Sequence, residues 1–227
     1  MTQKICVSIL PKTTEEALTL IELAEKANAD LVEVRLDGLR DHGDLTDLAK
    51  HGNIQKIATN RLVSSLGGYE GTENEQKRIL LSAAKKGFEY VDIEYSASNL
   101  KEFTTEVSEN GAKPIVSFHD FQHSLELVEL NTVLEQEIAS GADVCKIVTT
   151  AKRIEDNLTL LNFTAAACNR ANIVCFAMGD YGKISRLLSP LFGCFFTFAA
   201  LESGGETAPG QMTIQEMRTA YKLLGLK

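Results

Sequence analysis

A single α/β domain folded as a (β/α)8 TIM barrel over residues 1–227 is what this sequence predicts, on three observations. Short runs rich in β-branched and aromatic residues recur eight times, and each interval between them carries helical character. Each strand-plus-helix unit takes roughly 20–35 residues, so eight fit near the lower end of barrel length, whereas a doubly wound sheet commonly holds five or six strands. No composition shift, Pro/Ser linker or low-complexity tract marks a second domain.

The elements follow in order. "KICVSIL" reads as the first strand, and "TTEEALTLIELAEKA" after it opens with threonine caps and sets Ala17, Leu20, Ile21 and Ala24 on one stripe. "LVEVRLD" is the second strand; "DHGDLTDLAKHGN" behind it leaves room for little more than two helical turns and is the weakest unit. "QKIATN", "YVDIEY" and "KPIVSFH" are strands three to five, and the helix "SLELVELNTVLEQEIASG" ends on Gly141. "VCKIVTT", "IVCFAM" and "CFFTFAA" complete the set.

Bulk composition narrows the partners. With 44% hydrophobic residues the chain can bury a large core, and 23 Lys+Arg against 31 Asp+Glu give a net charge of −8, the opposite of a nucleic-acid binder's footprint. No run approaches the ~20 apolar residues of a membrane span, and the apolar stretch before Pro11 and Lys12 is too short for a signal sequence, so a cytoplasmic protein is expected. The five cysteines are odd in number, include no Cys-x-x-Cys pair and mostly lie in strand runs, as reduced core thiols do, so neither disulfides nor a zinc site is expected.

Strand alternation then selects the residues that point inward. If Val32, Val34 and Leu36 face helices, Glu33, Arg35 and Asp37 enter the barrel. The same argument places Ile57 and Thr59 inside with Arg61 at the mouth, Asp92 and Glu94 on strand four, and Ser117 and His119 on strand five. Lys146, on strand six among Val144, Cys145, Ile147 and Val148, raises the sharpest question. An apolar setting disfavours the ammonium and leaves a nucleophilic amine. A strand lysine is more often snorkelled or paired with a carboxylate, and acid–base pairs such as Glu33 with Arg35 often form charge networks without chemistry. Neighbouring His119 tips the balance toward a Schiff base with a general acid/base beside it. Two Gly-rich segments, "RLVSSLGGYEG" and "ESGGETAPGQM", are placed to cover the mouth, and Arg35, Arg61 and Arg186 converging there imply an anionic substrate.

Taken in order, "EVRLD", "TNR", "GGYEG", "VDIE", "SFHDF", "ADVCKI", "AMG", "ISRL" and "TAPGQ" resemble the type I 3-dehydroquinate dehydratases of the shikimate pathway over essentially the whole chain. The resemblance implies a homodimeric lyase of aromatic amino acid biosynthesis that dehydrates 3-dehydroquinate to 3-dehydroshikimate through an iminium, without metal or organic cofactor. By the same resemblance Lys146 is the Schiff-base lysine and His119 the general acid/base. Glu33, Arg35, Arg61, Met178, Arg186, Thr207 and Gln211 are then substrate-contacting positions, with Arg186 the carboxylate clamp and Phe121 packed beside the histidine.

Thr207 stands where many members have Ser, and Leu66 where the family commonly has Glu. Orientation of His119 is therefore expected to fall to Asp92, or to Glu70 if the loop folds back, and an ordinary imidazole would set an acid limb of activity at about pH 6 to 7. Three rival readings stand beside this one: a class I aldolase-type Schiff-base barrel acting on another anionic keto substrate, a non-catalytic carboxylate-binding barrel, and one half of a bifunctional polypeptide.

Overall fold

In the computed structural model, which describes residues 3–226, the predicted alternation produces a parallel barrel. Its strands are β1 (Ile5–Ile9), β2 (Leu31–Arg35), β3 (Gln55–Thr59), β4 (Tyr90–Glu94), β5 (Lys113–His119), β6 (Val144–Thr150), β7 (Ile173–Met178) and β8 (Thr197–Ala200). The helices are α1 (Thr14–Lys26), α2 (Thr46–Lys50), α3 (Glu73–Lys86), α4 (Leu100–Glu109), α5 (Leu127–Ala139), α6 (Asp156–Ala167), α7 (Lys183–Leu188) and α8 (Ile214–Leu223). The sheet runs β7-β6-β5-β4-β3-β2-β1-β8, all neighbours parallel. Its two ends meet through the Phe195 N–H, which donates to the Ile173 carbonyl at 2.7 Å just ahead of β8.

Local chemistry starts and stops the helices. Thr13 caps α1, and reciprocal capping boxes open α3 (Thr72 with Glu75) and α8 (Thr213 with Glu216). Gly87 ends α3 in the left-handed region, which a side chain would resist. The five residues of α2 are fewer than expected from "DHGDLTDLAKHGN". "CFFTFAA" is likewise a strand only in its last four residues, because the chain is still leaving a 3-10 turn at Ser189–Phe192 and the left-handed Gly193.

Two apolar layers result. Val32, Val34, Ile93, Ile147 and Cys175 pack outward against helices, while Leu31, Ile57, Tyr90, Ile115, Val144 and Phe196 fill the lumen. All five cysteines are free. The lumenal plug closes one end of the barrel, so the polar residues nearer the strands' C-terminal ends open only toward the mouth.

An acidic side chain is fully buried in the outward layer. Glu137 of α5 is 0% exposed, and neither carboxyl oxygen meets a donor in good hydrogen-bond geometry. Burial pushes its pKa well above the ordinary value, and the Phe118 amide and Cys145 thiol that face it offset only part of this. The folded protein therefore keeps a proton on Glu137 that the unfolded chain releases. Stability should fall as pH rises from the unfolded pKa toward the folded one. Glu137→Gln, which cannot ionise, should be the more stable protein at neutral pH by a margin that widens by up to ~1.4 kcal/mol per pH unit and closes near pH 4. Urea denaturation at pH 5 and pH 8 measures this, and a margin independent of pH would show that Glu137 ionises freely.

Candidate active site

The parallel register stacks the lumenal side chains. Thr59 pairs with Arg35 and Asp92, Ser117 pairs with Glu94 and Lys146, and His119 pairs with Val148 one step nearer the mouth. Asp92 Oδ2 accepts from Lys146 Nζ at 2.8 Å, while Oδ1 accepts from Arg61 Nη2 at 2.8 Å and from Ser117 Oγ at 2.7 Å. Glu33 lies 3.7 Å from the same ammonium and accepts from Thr59 Oγ1 at 2.8 Å and from Ser8 Oγ. Burial alone would raise the pKa of Asp92, but Lys146 and Arg61 outweigh it and hold the group well below the usual carboxylate range. Of the two readings of this strand lysine, carboxylate pairing is the one found: Lys146 bridges two carboxylates and lies 4.5 Å from the centroid of the Phe198 ring.

His119 is held differently from expectation. Its ring stacks on Phe121 at 5.7 Å between centroids and 11° between planes. Asp92 spends its oxygens on Lys146, Arg61 and Ser117, and Glu70 is exposed and outside the cavity, so neither carboxylate orients the imidazole. Burial first, then the positive charges of Arg61 and Lys146, push the His119 pKa well below 6.5 against a smaller pull from Asp92. The imidazole is therefore neutral, and a base, at neutral pH.

The three arginines divide into two kinds. Arg35 forks onto Asp37 at 2.8 and 2.6 Å, and Asp37, which sits in a 3-10 turn after β2, also accepts from the Gly68 N–H. Arg61 is neutralised by Asp92 and by Glu94 at 3.5 Å. Arg186 alone has no carboxylate. It is 1% exposed, lies 4.4 Å from the Phe176 ring centroid, and leaves Nε and Nη2 without partners. Burial pushes its pKa down to about 9, so the guanidinium stays charged at neutral pH. A buried cation with idle donors is built to receive an anion.

These groups share one cavity of about 270 Å³ at the mouth, room for one small organic acid. Glu33, Arg35, Arg61, His119, Lys146, Met178, Arg186, Thr207 and Gln211 line it; Asp92 lies beneath it. The segment after β8 is folded over the opening. Gln211 Oε1 accepts from the Thr207 N–H at 2.8 Å, and the Gly179 N–H donates to the Pro209 carbonyl at 3.1 Å. A Cβ on Gly210 would lie 2.2 Å from the Gly179 carbonyl oxygen, so this close seating requires glycine. Ser8 was not singled out by sequence reasoning, although it is the one polar residue at an inward position of "ICVSI".

Fold and site together define a (β/α)8-barrel enzyme. The model of the family described as type I 3-dehydroquinase matches residues 5–227, and the chain belongs to that family. A 3-dehydroquinate dehydratase of Coxiella burnetii is 34% identical over 223 residues, covering 97% of this chain and 93% of the relative. The crystal structure of 3-dehydroquinate dehydratase from Geobacillus kaustophilus is similar at TM-score 0.90 and 26% identity, over 99% of this chain and 92% of that one. Type I 3-dehydroquinate dehydratase from Clostridium difficile, solved with covalently modified comenic acid, is similar at TM-score 0.88 and 25% identity, over 98% and 92%.

The isolation of Arg186 carries a paired expectation. Arg186→Met should weaken binding of a cyclic carboxylate such as shikimate by about 2–4 kcal/mol, read by calorimetric titration. Its melting temperature should hold or rise, because an unpaired buried charge is replaced by an apolar chain. Unaltered affinity would remove Arg186 from the anion site.

Proposed function

We propose that this protein dehydrates 3-dehydroquinate to 3-dehydroshikimate through a Schiff base on Lys146, with His119 as general acid/base. The observation that carries the reading is the convergence on one small cavity of a buried amine, a neutral imidazole and a buried guanidinium without a counter-ion. Family membership supports the substrate and sets aside the aldolase and non-catalytic readings.

The substrate carboxylate pairs with Arg186, which turns the ring ketone toward Lys146. The nitrogen adds to the carbonyl carbon, the two protons it gives up end on the carbonyl oxygen, and that oxygen leaves as water to give the iminium. Its positive charge acidifies the adjacent C–H, and neutral His119 takes that proton. The electron pair left on carbon forms the ring double bond as the hydroxyl one carbon further departs, protonated by His119 and released as water. Hydrolysis of the iminium returns ketone and amine. Throughout, Asp92 and Glu33 keep negative charge beside the lysine nitrogen, where the iminium needs it.

Borohydride added with 3-dehydroquinate should fix a covalent adduct on the peptide containing Lys146 and on no other, as read by mass mapping. His119→Ala should still form the imine but stall there, so the adduct accumulates without reductant. Unmodified His119→Ala protein with normal ligand affinity would mean that the histidine is needed for imine formation itself.

The pH profile distinguishes this site from an ordinary imidazole. A histidine whose pKa is lowered keeps its basic form to more acid pH, so the acid limb of kcat/KM should lie below about 6.5 rather than at the 6 to 7 expected from the sequence. An acid limb at or above 6.5 that vanishes in His119→Ala would show that burial and the flanking cations do not act on the ring as described.

A further inference from the structure

The segment between β3 and α3 presents a feature that the proposed chemistry leaves unused. The Tyr69 N–H donates to the Arg61 carbonyl and the Val63 N–H to the Tyr69 carbonyl, both at 3.0 Å, and the Gly67 N–H donates to the Leu62 carbonyl at 2.9 Å. The Gly68 N–H is bound by Asp37, the partner of Arg35. Gly67 is pressed so closely on Arg61 that a Cβ there would lie 2.0 Å from the Arg61 carbonyl oxygen. The loop is therefore anchored on the supports of two cavity arginines, and its tip is Leu66.

Leu66 is placed at a cost in two respects. Its backbone is left-handed, at φ 57° and ψ 31°. Among the described residues only Asn28 and Asn99 share a positive φ without being glycine, and asparagine tolerates that region far better than leucine. Its side chain is also 70% exposed, although it lines the cavity together with His119 and Phe121. Glycine or asparagine would relieve the backbone and remove the exposed hydrocarbon. Such a residue fits a role met only when something fills the cavity.

The remaining walls say what that is. Arg186, Lys146 and Gln211 supply the polar contacts, while Val148, Phe176, Met178 and Phe198 supply apolar ones. A cyclic keto acid held at its carboxylate and ketone still has C–H surface to cover. We propose that Leu66 is a specificity-determining residue of this site, closing on the C–H face of the bound ring and excluding water from the space beside His119. The inference rests on the substrate class proposed above.

The test is steady-state kinetics with 3-dehydroquinate together with thermal denaturation of Leu66→Gly, Leu66→Asn and Leu66→Met. The glycine and asparagine variants should melt higher than the wild-type protein, yet show kcat/KM lower by about tenfold, mostly through KM, the scale of a lost apolar contact in a substrate pocket. Leu66→Met, which restores an apolar chain of similar length, should recover most of that loss. Glycine and asparagine variants with wild-type kcat/KM would overturn the inference, as would a methionine variant no better than glycine. If the wild-type protein does not turn over 3-dehydroquinate, the proposed reaction falls by itself, and Leu66 is then judged by the melting shift on adding quinate, a cyclic hydroxy acid without the ketone. A shift reduced in Leu66→Gly upholds the covering role, and an equal shift overturns it.

Discussion

The bridge from Asp92 to Lys146 on one side and Arg61 on the other is the interaction on which the mouth of this barrel depends. It ties β4 to β6, which share no backbone hydrogen bonds, and to Arg61 just past the end of the neighbouring β3. Ion pairs this deep seldom add stability, since each charge loses hydration worth several kcal/mol before the attraction offsets it. They persist where every charge is multiply satisfied. Asp92 has three donors, and Glu33 has two hydroxyls besides the ammonium. The arrangement fixes the position of a flexible four-carbon chain and presents its nitrogen to the cavity.

Electrostatic asymmetry does the rest. Two of the three arginines at the mouth are neutralised, Arg35 by Asp37 and Arg61 by Asp92 and Glu94, and act as scaffold, and Arg186 is left with unused donors. An anion entering the cavity therefore meets one dominant site. Burial first, then the charges of Arg61 and Lys146, keep the His119 ring neutral, so a base stands in the same cavity as the anion site. Stacking on Phe121, rather than a hydrogen-bonded carboxylate, sets the plane of that base.

Rigid strands position Lys146 and His119, and loops finish the enclosure. Both covering loops depend on a glycine seated directly on backbone: Gly67 on Arg61, and Gly210 on Gly179. In each case the absent Cβ permits a contact that brings the loop over the cavity, and Leu66 and Gln211 lie one residue from those glycines. Two of the closest glycine approaches and the one left-handed leucine thus lie at the mouth.

Strand periodicity alone made the barrel legible. The two-residue repeat in "LVEVR" or "KPIVSFH" assigns each side chain to lumen or helix layer wherever one face is apolar, and parallel connections through helices leave few other topologies. The inward residues, and with them Glu33, Asp92, His119 and Lys146, follow from that rule. Periodicity carries no information about which lumenal groups meet across the barrel, because that depends on the stagger between strands and on side-chain reach. Hence Asp92 proved to be the partner of Lys146 and Arg61 rather than of His119, Ser8 emerged as a support of Glu33, and "CFFTFAA" yielded only a short strand. The isolation of Arg186 and the buried carboxyl of Glu137 were likewise decided by tertiary structure, since the charge state of a buried group depends on neighbours distant in the chain.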